Sequence, residues 1–465
     1  MRVRAALAAV AVLVAGCTSS GTGGPSATAP ASTTPTTPAS SALSSDAPPP
    51  RHLTDWPTYH GRVDRTGYAP SMPTVTRTPR IVADLKLDGA MYASPVVVGG
   101  VVIAASEGDT VYAFDLGGHK KWEQHLGSPA TADELPCGNI DPLGITGTPV
   151  VANGTVYVAP EYGSPPRHEL VALDLDTGAV RWRRSIDLPG VETRAMQERG
   201  ALTVTGGRVW VPFGGLLGDC GGYKGRVIGV RLDGTGAPIA YTVPTAREAG
   251  IWTPPGPSVD AGGNLFVQVG NGASVQGDPY DHSDSVLKIS PSAQLLDSFS
   301  PSSWASDNAG DLDLGSQGPA LVGARWVFAA GKSGTAYVLD QRHLGGIGGE
   351  VSQVALCHSY GGTAVVGDVV YVPCTDGDRA VRIDDAGTVH PLWRATDSVN
   401  GSPVVGGGRV WTLDPTAGVL HALDLRTGVT REQVQVGETS RFATPALYGR
   451  NVLVPTMSGL VIAAT

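Results

Sequence analysis

One phrase recurs along the chain from residue 51 onward, and it limits the fold more than anything else in the sequence. It runs as a small residue and a proline, a β-branched pair, a glycine-containing turn, an alternation of β-branched and aromatic residues, then an acidic or glycine turn and another strand. It is clearest in YASPVVVGGVVIAASEGDTVYAFDLGGHKKW, from Tyr92 to Trp122. Three further strong copies are GITGTPVVANGTVYVAPEYGSPPRHELVALDLDTGAVRW, ending at Trp182, NGSPVVGGGRVWTLDPTAGVLHALDLRTG, ending at Gly428, and FATPALYGRNVLVPTMSGLVIAAT at the C-terminal end. Weaker copies centre on the turns at Gly206-Gly207, Gly262-Gly263, Gly323-Ala324 and Gly367-Asp368, making eight in all. Each copy alternates with a period of two and is broken by two-residue Gly or Asn-Gly turns, which marks consecutive antiparallel strands. No helical periodicity competes with it.

A single small twisted sheet cannot bury both of its faces, whereas a ring of eight packs each face on a neighbour and protects most edges. Spread over residues 51–465, eight units average about 52 residues each, close to the period of propeller blades. The expected fold is therefore all-β, an eight-bladed β-propeller of four-stranded antiparallel blades. The last copy supplies three strands at most, and the stretch IVADLKL, Ile81–Leu87, precedes the first full copy. This N-terminal strand is expected to close the last blade. The copies are unequal: turn glycines are spaced roughly 53 to 60 residues apart in the first half and about 40 to 44 later. The extra length lies in insertions around Cys137, Cys220 and Asp278 to Ser285.

Composition removes several classes of function. With 33 Lys and Arg against 42 Asp and Glu, a net charge of −9 and no basic run, the chain is not expected to bind nucleic acid. The 63 Gly and 36 Pro are too many helix breakers for a helical bundle. Ten scattered His without an H-E-x-x-H pattern speak against a zinc hydrolase, and there is no Gly-Lys-Ser/Thr phosphate loop or strand-turn-helix setting for a serine nucleophile. GDCGGYKG is rich in glycine but sits between strands, so it is a poor phosphate cradle.

The front of the chain carries an address. Arg2 and Arg4 precede an apolar run from Ala5 to Ala15, of signal-peptide length and well short of the ~20 residues that span a bilayer. Val14-Ala15-Gly16-Cys17 resembles the bacterial lipobox; the alternative is an ordinary secretory signal with a chance cysteine. The expectation is a signal peptide over 1–16, a lipidated Cys17 with a Ser/Thr/Pro-rich disordered tether over 17–50, and the propeller over 51–465. The protein would then be exported and held at a membrane through Cys17, facing the extracytoplasmic side. Four cysteines remain, and an exported compartment favours pairing them. Cys357 and Cys374 flank one expected hairpin, which leaves Cys137 with Cys220; free buried thiols are the other reading.

The phrase SPVVxxGxVYVxSxDGxxYALDxxTGxxxW resembles the pyrroloquinoline-quinone (PQQ)-type propeller repeat, and DWPTYHGRVDRTGYAP, Asp55 to Pro70, resembles the opening segment of that superfamily. The resemblance covers residues 51–465. It implies that Trp122, Trp182 and Trp393, at the position of the repeat's outer tryptophan, dock between blades. The superfamily includes quinone- and calcium-dependent alcohol and sugar dehydrogenases and the BamB-like lipoprotein of outer-membrane β-barrel assembly, so it carries the fold further than the activity. In the dehydrogenases a strand ending in Gly-Asn-Gly supplies a calcium ligand, and the matching residue is Asn271. The stretch FSPSSWASDNAGDLDLGSQGPAL resembles the segment with their catalytic aspartate, leaving Asp307, Asp311 and Asp313 as alternatives. Their adjacent cysteine pair and the C-x-x-C-H haem motif are absent from the sequence. Two functions follow. The leading one is a scaffold or binding propeller, without cofactor, whose loop face holds an envelope component. The alternative is a dehydrogenase using PQQ and Ca²⁺. A third reading, sugar binding, would use Trp252, Trp304 or Tyr280 as exposed stacking platforms.

Overall fold

The computed structural model describes residues 54–465, so the expected signal peptide, lipidated Cys17 and tether lie outside the described residues. Eight antiparallel sheets follow one another along the chain as the blades of a β-propeller. Blades 1 to 7 span residues 96–125, 150–185, 196–242, 258–300, 320–355, 364–394 and 404–435. Blade 8 takes three strands from 446–464 and its outer strand from Arg80–Lys86. That strand runs antiparallel to Gly459–Ala464, pairing Arg80 with Ala464 and Lys86 with Gly459 across one bulge. The expected closure by Ile81–Leu87 is therefore present, one residue earlier. Some blades carry a short additional strand, as where Tyr68–Ala69 runs parallel to Val404–Gly406 at blade 7.

Burial explains why the copies look as they do. A middle strand such as Val101–Ala105 is buried on both faces and reads as a continuous apolar run. An outer strand such as Val180–Ser185 alternates half-buried with exposed residues, because only one face meets the next blade. The cores accordingly lie between blades. Ile103, Ala105 and Val111 of blade 1 pack on Val156, Val158 and Val171 of blade 2, and one larger cluster joins blades 7, 8 and 1 across the closure.

The outer tryptophans stand at these seams. Trp122 of blade 1 donates its indole N–H to the Leu175 carbonyl at 3.0 Å, in a turn of blade 2. Its ring packs so closely on Gly178, at φ +72°, that a Cβ there would lie 2.5 Å from a ring carbon. Trp182 packs on Gly234 of blade 3 in the same way, and Trp393 on Gly428 of blade 7 with a 3.1 Å bond to the Leu425 carbonyl.

The opening segment 55–70 lies across one end of the central channel. It touches the inner edges of seven blades in turn. Trp56 bridges to Val97, the Pro57 carbonyl accepts from Val151 N–H, and Val63, Thr66 and Gly67 carbonyls accept from Val259, Val365 and Val405. His60, fully buried, sets Nδ1 3.0 Å from the Thr363 carbonyl and Nε2 3.0 Å from Thr444 Oγ1, which ties it to blades 6 and 8. Burial pulls its imidazole down to about 3, so it stays neutral. Arg65, also buried, donates to the carbonyls of Tyr59, Leu202 and Pro257 and to Thr58 Oγ1. This segment is a plug.

Arg65→Ala leaves several buried acceptors without a donor at the centre of the ring. Each such loss costs about 1–3 kcal/mol, so the variant is expected to lose at least about 3 kcal/mol in denaturant unfolding, against a negligible change for the exposed Arg62→Ala.

Candidate functional site

With one end plugged, the other end of the channel carries the loops. The connection 126–149 between blades 1 and 2 and the loop 216–225 within blade 3 are joined by the Cys137–Cys220 disulfide, Cα to Cα 6.2 Å. They share a small apolar cluster of Ala130, Leu135, Ile140, Leu143 and Leu216. The second disulfide, Cys357–Cys374, joins the entry of blade 6 to the end of its second strand. Both pairs fit an oxidising compartment.

Beside these loops a cavity of about 290 Å³ opens at the channel mouth, lined among others by Arg199, Trp252, Asn271, Asp313, Lys332 and Arg441. A larger groove of about 740 Å³ runs along the plug at the opposite end, past Val63, Tyr68 and Lys288; it is wide and holds none of the candidate residues. We therefore take the smaller cavity as the site.

Of the residues singled out in sequence, Asn271 and Asp313 line this cavity together. Asn271 follows the strand Leu265–Val269, and its backbone N–H donates to Asp313 Oδ1 at 2.6 Å. Gly270 permits the approach, since a Cβ there would fall 2.3 Å from the same carboxylate oxygen and 3.0 Å from the Trp252 indole nitrogen. Asp311 stands beside them, accepting from Asn271 Nδ2 at 2.8 Å, with its side chain largely exposed. Asp307 does not join them. It sits on the short helix Trp304–Gly310, where it accepts from Ser303 Oγ at 2.7 Å. The helix itself carries no sequence periodicity long enough to announce it. Asn308 on the same helix fixes the loop of blade 4, accepting from Gly272 N–H and donating to the Ser274 carbonyl. Trp304 is buried against Tyr280, ring centroids 5.3 Å apart, so it offers no exposed stacking platform.

The sequence reading missed Lys332. It stands two residues beyond the strand Trp326–Ala330, the position held by Asn271 in blade 4 and Glu107 in blade 1. Aligning AAGKSGTAYVLD with AASEGDTVYAFD exposes the exchange. Its ammonium lies 2.5 Å from Asp313 Oδ2 and 2.6 Å from Asp311 Oδ1. Burial works against its charge, but the two carboxylates outweigh it and push the ammonium up. Burial pushes the Asp313 carboxyl up and Lys332 pulls it down; with the ammonium at ion-pair distance we read the two as charged.

Arginines and aromatic rings form the rest of the mouth. The Arg199 guanidinium stands 5.6 Å from the centroids of both Trp252 and Phe442, and Arg441 stands 4.0 Å from Tyr360 and 5.0 Å from Phe442. Such stacking holds a guanidinium in place while leaving its N–H donors free.

Behind the mouth, blades 1 to 3 bury carboxyl groups that sequence reasoning did not single out: Glu107, Asp109, Glu161 and Glu198. Glu107 accepts the Gly144 N–H at 2.7 Å, yet burial pushes it up to about 7, while burial and its acidic neighbours push Asp109 up to about 9. Glu198 is raised well above the ordinary range by burial. His168 lies between Glu161, at 3.2 Å, and Asp187, at 2.8 Å. Burial alone would lower it; the two carboxylates raise it to about 10.

The family model described as outer membrane protein assembly factor BamB matches residues 76–214 and 332–465. Among solved structures the chain is similar to the quinohemoprotein alcohol dehydrogenase from Comamonas testosteroni, with a TM-score of 0.70 and 16% identity over 88% of this chain and 80% of that one. A europium-containing methanol dehydrogenase gives a TM-score of 0.67 and 15% identity over 89% of this chain and 98% of that one. BamB from Moraxella catarrhalis gives 0.55 and 17% over 83% and 97%. No curated protein sequence matches. At these identities the structural likeness speaks for the fold alone.

The buried acids set a pH dependence. A carboxyl whose folded value is raised costs nothing where it is protonated in both states, and costs progressively more as pH rises from its unfolded toward its folded value. A histidine raised to about 10 loses its contribution over the interval from about 6.5 to 10. The raised carboxyls and His168 act in one direction, so stability should fall steadily from pH 5 to pH 9. Glu107→Gln should flatten the segment between pH 4.5 and 7 by about 3 kcal/mol in a pH series of denaturant midpoints.

Proposed function

Because this chain belongs to the propeller family described as outer membrane protein assembly factor BamB, we propose that it is a non-catalytic binding propeller of the cell envelope that holds another envelope component on its loop-bearing face. One observation carries the reading: the stacked guanidiniums of Arg199 and Arg441, which make no hydrogen bond among the described residues, stand among Trp252, Tyr360 and Phe442 at the channel mouth opposite the plug. Arginine and aromatic anchors in a partly enclosed setting are the usual source of binding energy in protein recognition. The partner surface that fits is one presenting carboxylates to the two arginines, with an apolar group for the rings between them. The loops around Cys137 and Cys220 supply the rim, since recognition is commonly built on loop length beyond what the fold needs. Export follows from the two disulfides together with the signal-like front end, and attachment through Cys17 would hold the propeller beside its partner.

The dehydrogenase alternative asks for a divalent cation among oxygen ligands to polarise the quinone, and a free carboxylate as base. The residues present do not fit that group. Lys332 already lies against Asp311 and Asp313, and an ammonium has no lone pair to offer a calcium ion and repels it. Among the described residues no three His, Cys, Asp or Glu side chains converge to hold a metal ion. No step through a quinone is derived.

Charge reversal tests the binding face. In intact membranes, crosslinking from the loop face should capture a defined envelope component with the unaltered chain. Arg441→Glu should reduce that yield at least about tenfold, because an attractive contact with the partner's carboxylates becomes a repulsive one. Arg62→Glu on the plug side should not alter it. Equal loss from both substitutions, or from neither, would remove the loop face as the binding surface.

A further inference from the structure

We propose that the loop face carries a groove for an extended acidic polypeptide segment, which runs outward from the channel mouth between blades 6 and 7 and sets one of its carboxylates on Arg199 and Arg441. The inference rests on the reading of the loop face as the binding face, and names the chemistry and direction of what lies there.

Three cavities adjoin in a row. Tyr360 and Arg441 line both the mouth cavity and a second one of about 330 Å³. Thr375 lines the second and a third of about 490 Å³, which reaches residues 394–398 at the end of the outer strand of blade 6. Two turns, each between the second and third strands of its blade, wall the second cavity: Pro373 and Thr375 belong to blade 6, Pro415 and Thr416 to blade 7. The Cys357–Cys374 disulfide pins the first of these turns. Strands about 4.8 Å apart make a four-stranded blade about 15 Å deep, so about four or five extended residues cover the distance from mouth to rim.

The chemistry changes along the row. At the inner end Arg199 and Arg441 are held by aromatic rings and pair with no carboxylate among the described residues. In the middle, half-buried Asn400 lines the cavity with an amide that makes no hydrogen bond among the described residues, its Oδ1 being buried without a partner. Thr375 and Thr416 stand exposed on the walls. At the outer end Asp376 and Asp397 offset Arg379 and Arg394, with Asp376 2.8 Å from the first guanidinium and 3.2 Å from the second. The groove therefore asks for a negative group at one end only, and for neutral hydrogen-bonding groups along its length. An extended polypeptide answers both demands, since its carbonyls accept from an amide N–H and a carboxylate accepts from guanidiniums. A glycan fits less well. Tyr360 is the one ring among the residues that line the two outer cavities, and the Arg441 guanidinium, 4.0 Å from its centroid, covers the platform on which a sugar would stack.

The experiment selects random hexapeptides on the purified full chain, from one pool with a free carboxy-terminus and one with a carboxy-terminal amide. Selected peptides should carry a carboxylate at one end and bind saturably by fluorescence anisotropy. Enrichment from the free-acid pool alone assigns the carboxylate to a chain terminus, and enrichment from both assigns it to an Asp or Glu side chain. Thr416→Trp, which fills the second cavity from an exposed turn, and Asn400→Ala should each weaken the selected peptides at least about tenfold. Ala386→Trp, on an exposed turn at the opposite end of blade 6, should leave them unchanged. Should Asn400→Ala fail to fold, the surface substitution Thr416→Trp decides alone. Absence of any enriched peptide would overturn the proposal, as would peptides that bind folded Thr416→Trp as tightly as the unaltered chain, or chitohexaose displacing them at equal concentration. No enriched peptide, with crosslinking still lost in Arg441→Glu, strikes the groove and leaves the binding face standing; crosslinking equal in Arg441→Glu and Arg62→Glu strikes both.

Discussion

The structure depends on contact between neighbouring sheets. No blade has a core of its own: the apolar clusters lie between blades, and one continues from blade 7 through blade 8 into blade 1. A chain of such units must end on itself or expose two apolar faces and an open strand edge. Arg80–Lys86 meets that requirement by pairing with Gly459–Ala464, so the first and last described strands of the propeller are hydrogen-bonded neighbours. The outer tryptophans add a directional contact at the seams. Each indole bonds or stacks on the turn of the following blade, and Gly178, Gly234 and Gly428 are the residues that let it approach.

Closing the ring creates a channel, and the plug makes its two ends unequal. Segment 55–70 places two side chains, His60 and Arg65, in a fully enclosed polar setting, and both are satisfied by carbonyls and hydroxyls rather than by counter-ions. A neutral imidazole and a guanidinium bonded to carbonyls suit this end to structural work. The other end is where loops from both halves of the ring converge, from Asn139 between blades 1 and 2 to Arg441 and Phe442 between blades 7 and 8, and where charged groups lie within reach of a cavity.

How much of this was legible in sequence follows from what each level of structure depends on. Strand alternation and turn glycines are local, so the eight blades and the closing strand could be read directly, and the two disulfides by parity and hairpin position. Asn271 and Asp313 could be read because they lie within recognisable phrases, but choosing Asp313 from Asp307 required knowing that a seven-residue helix turns Asp307 toward Ser303. Lys332, Arg199 and Arg441 sit on different blades, and their meeting is a property of the ring that no single phrase contains. The buried acids escaped for another reason: Glu107 and Asp109 belong to an ordinary-looking Glu-Gly-Asp turn, and only packing against blade 2 removes it from water.

One position per blade, just beyond the second strand, controls the character of the channel mouth. It holds Glu107 in blade 1, Asn271 in blade 4 and Lys332 in blade 5. The backbone delivers these residues to similar places whatever their side chains, so the fold tolerates an acid, an amide or an ammonium there without rearrangement. Exchanging an amide for lysine raises the local charge by one unit and exchanging a carboxylate raises it by two, and the ammonium that results offers only donors. In a pocket that already contains Asp311 and Asp313 the result is one ammonium held between two carboxylates. The same backbone position in successive blades can therefore set the charge of the channel mouth by side-chain identity alone, as the acid of blade 1, the amide of blade 4 and the ammonium of blade 5 do.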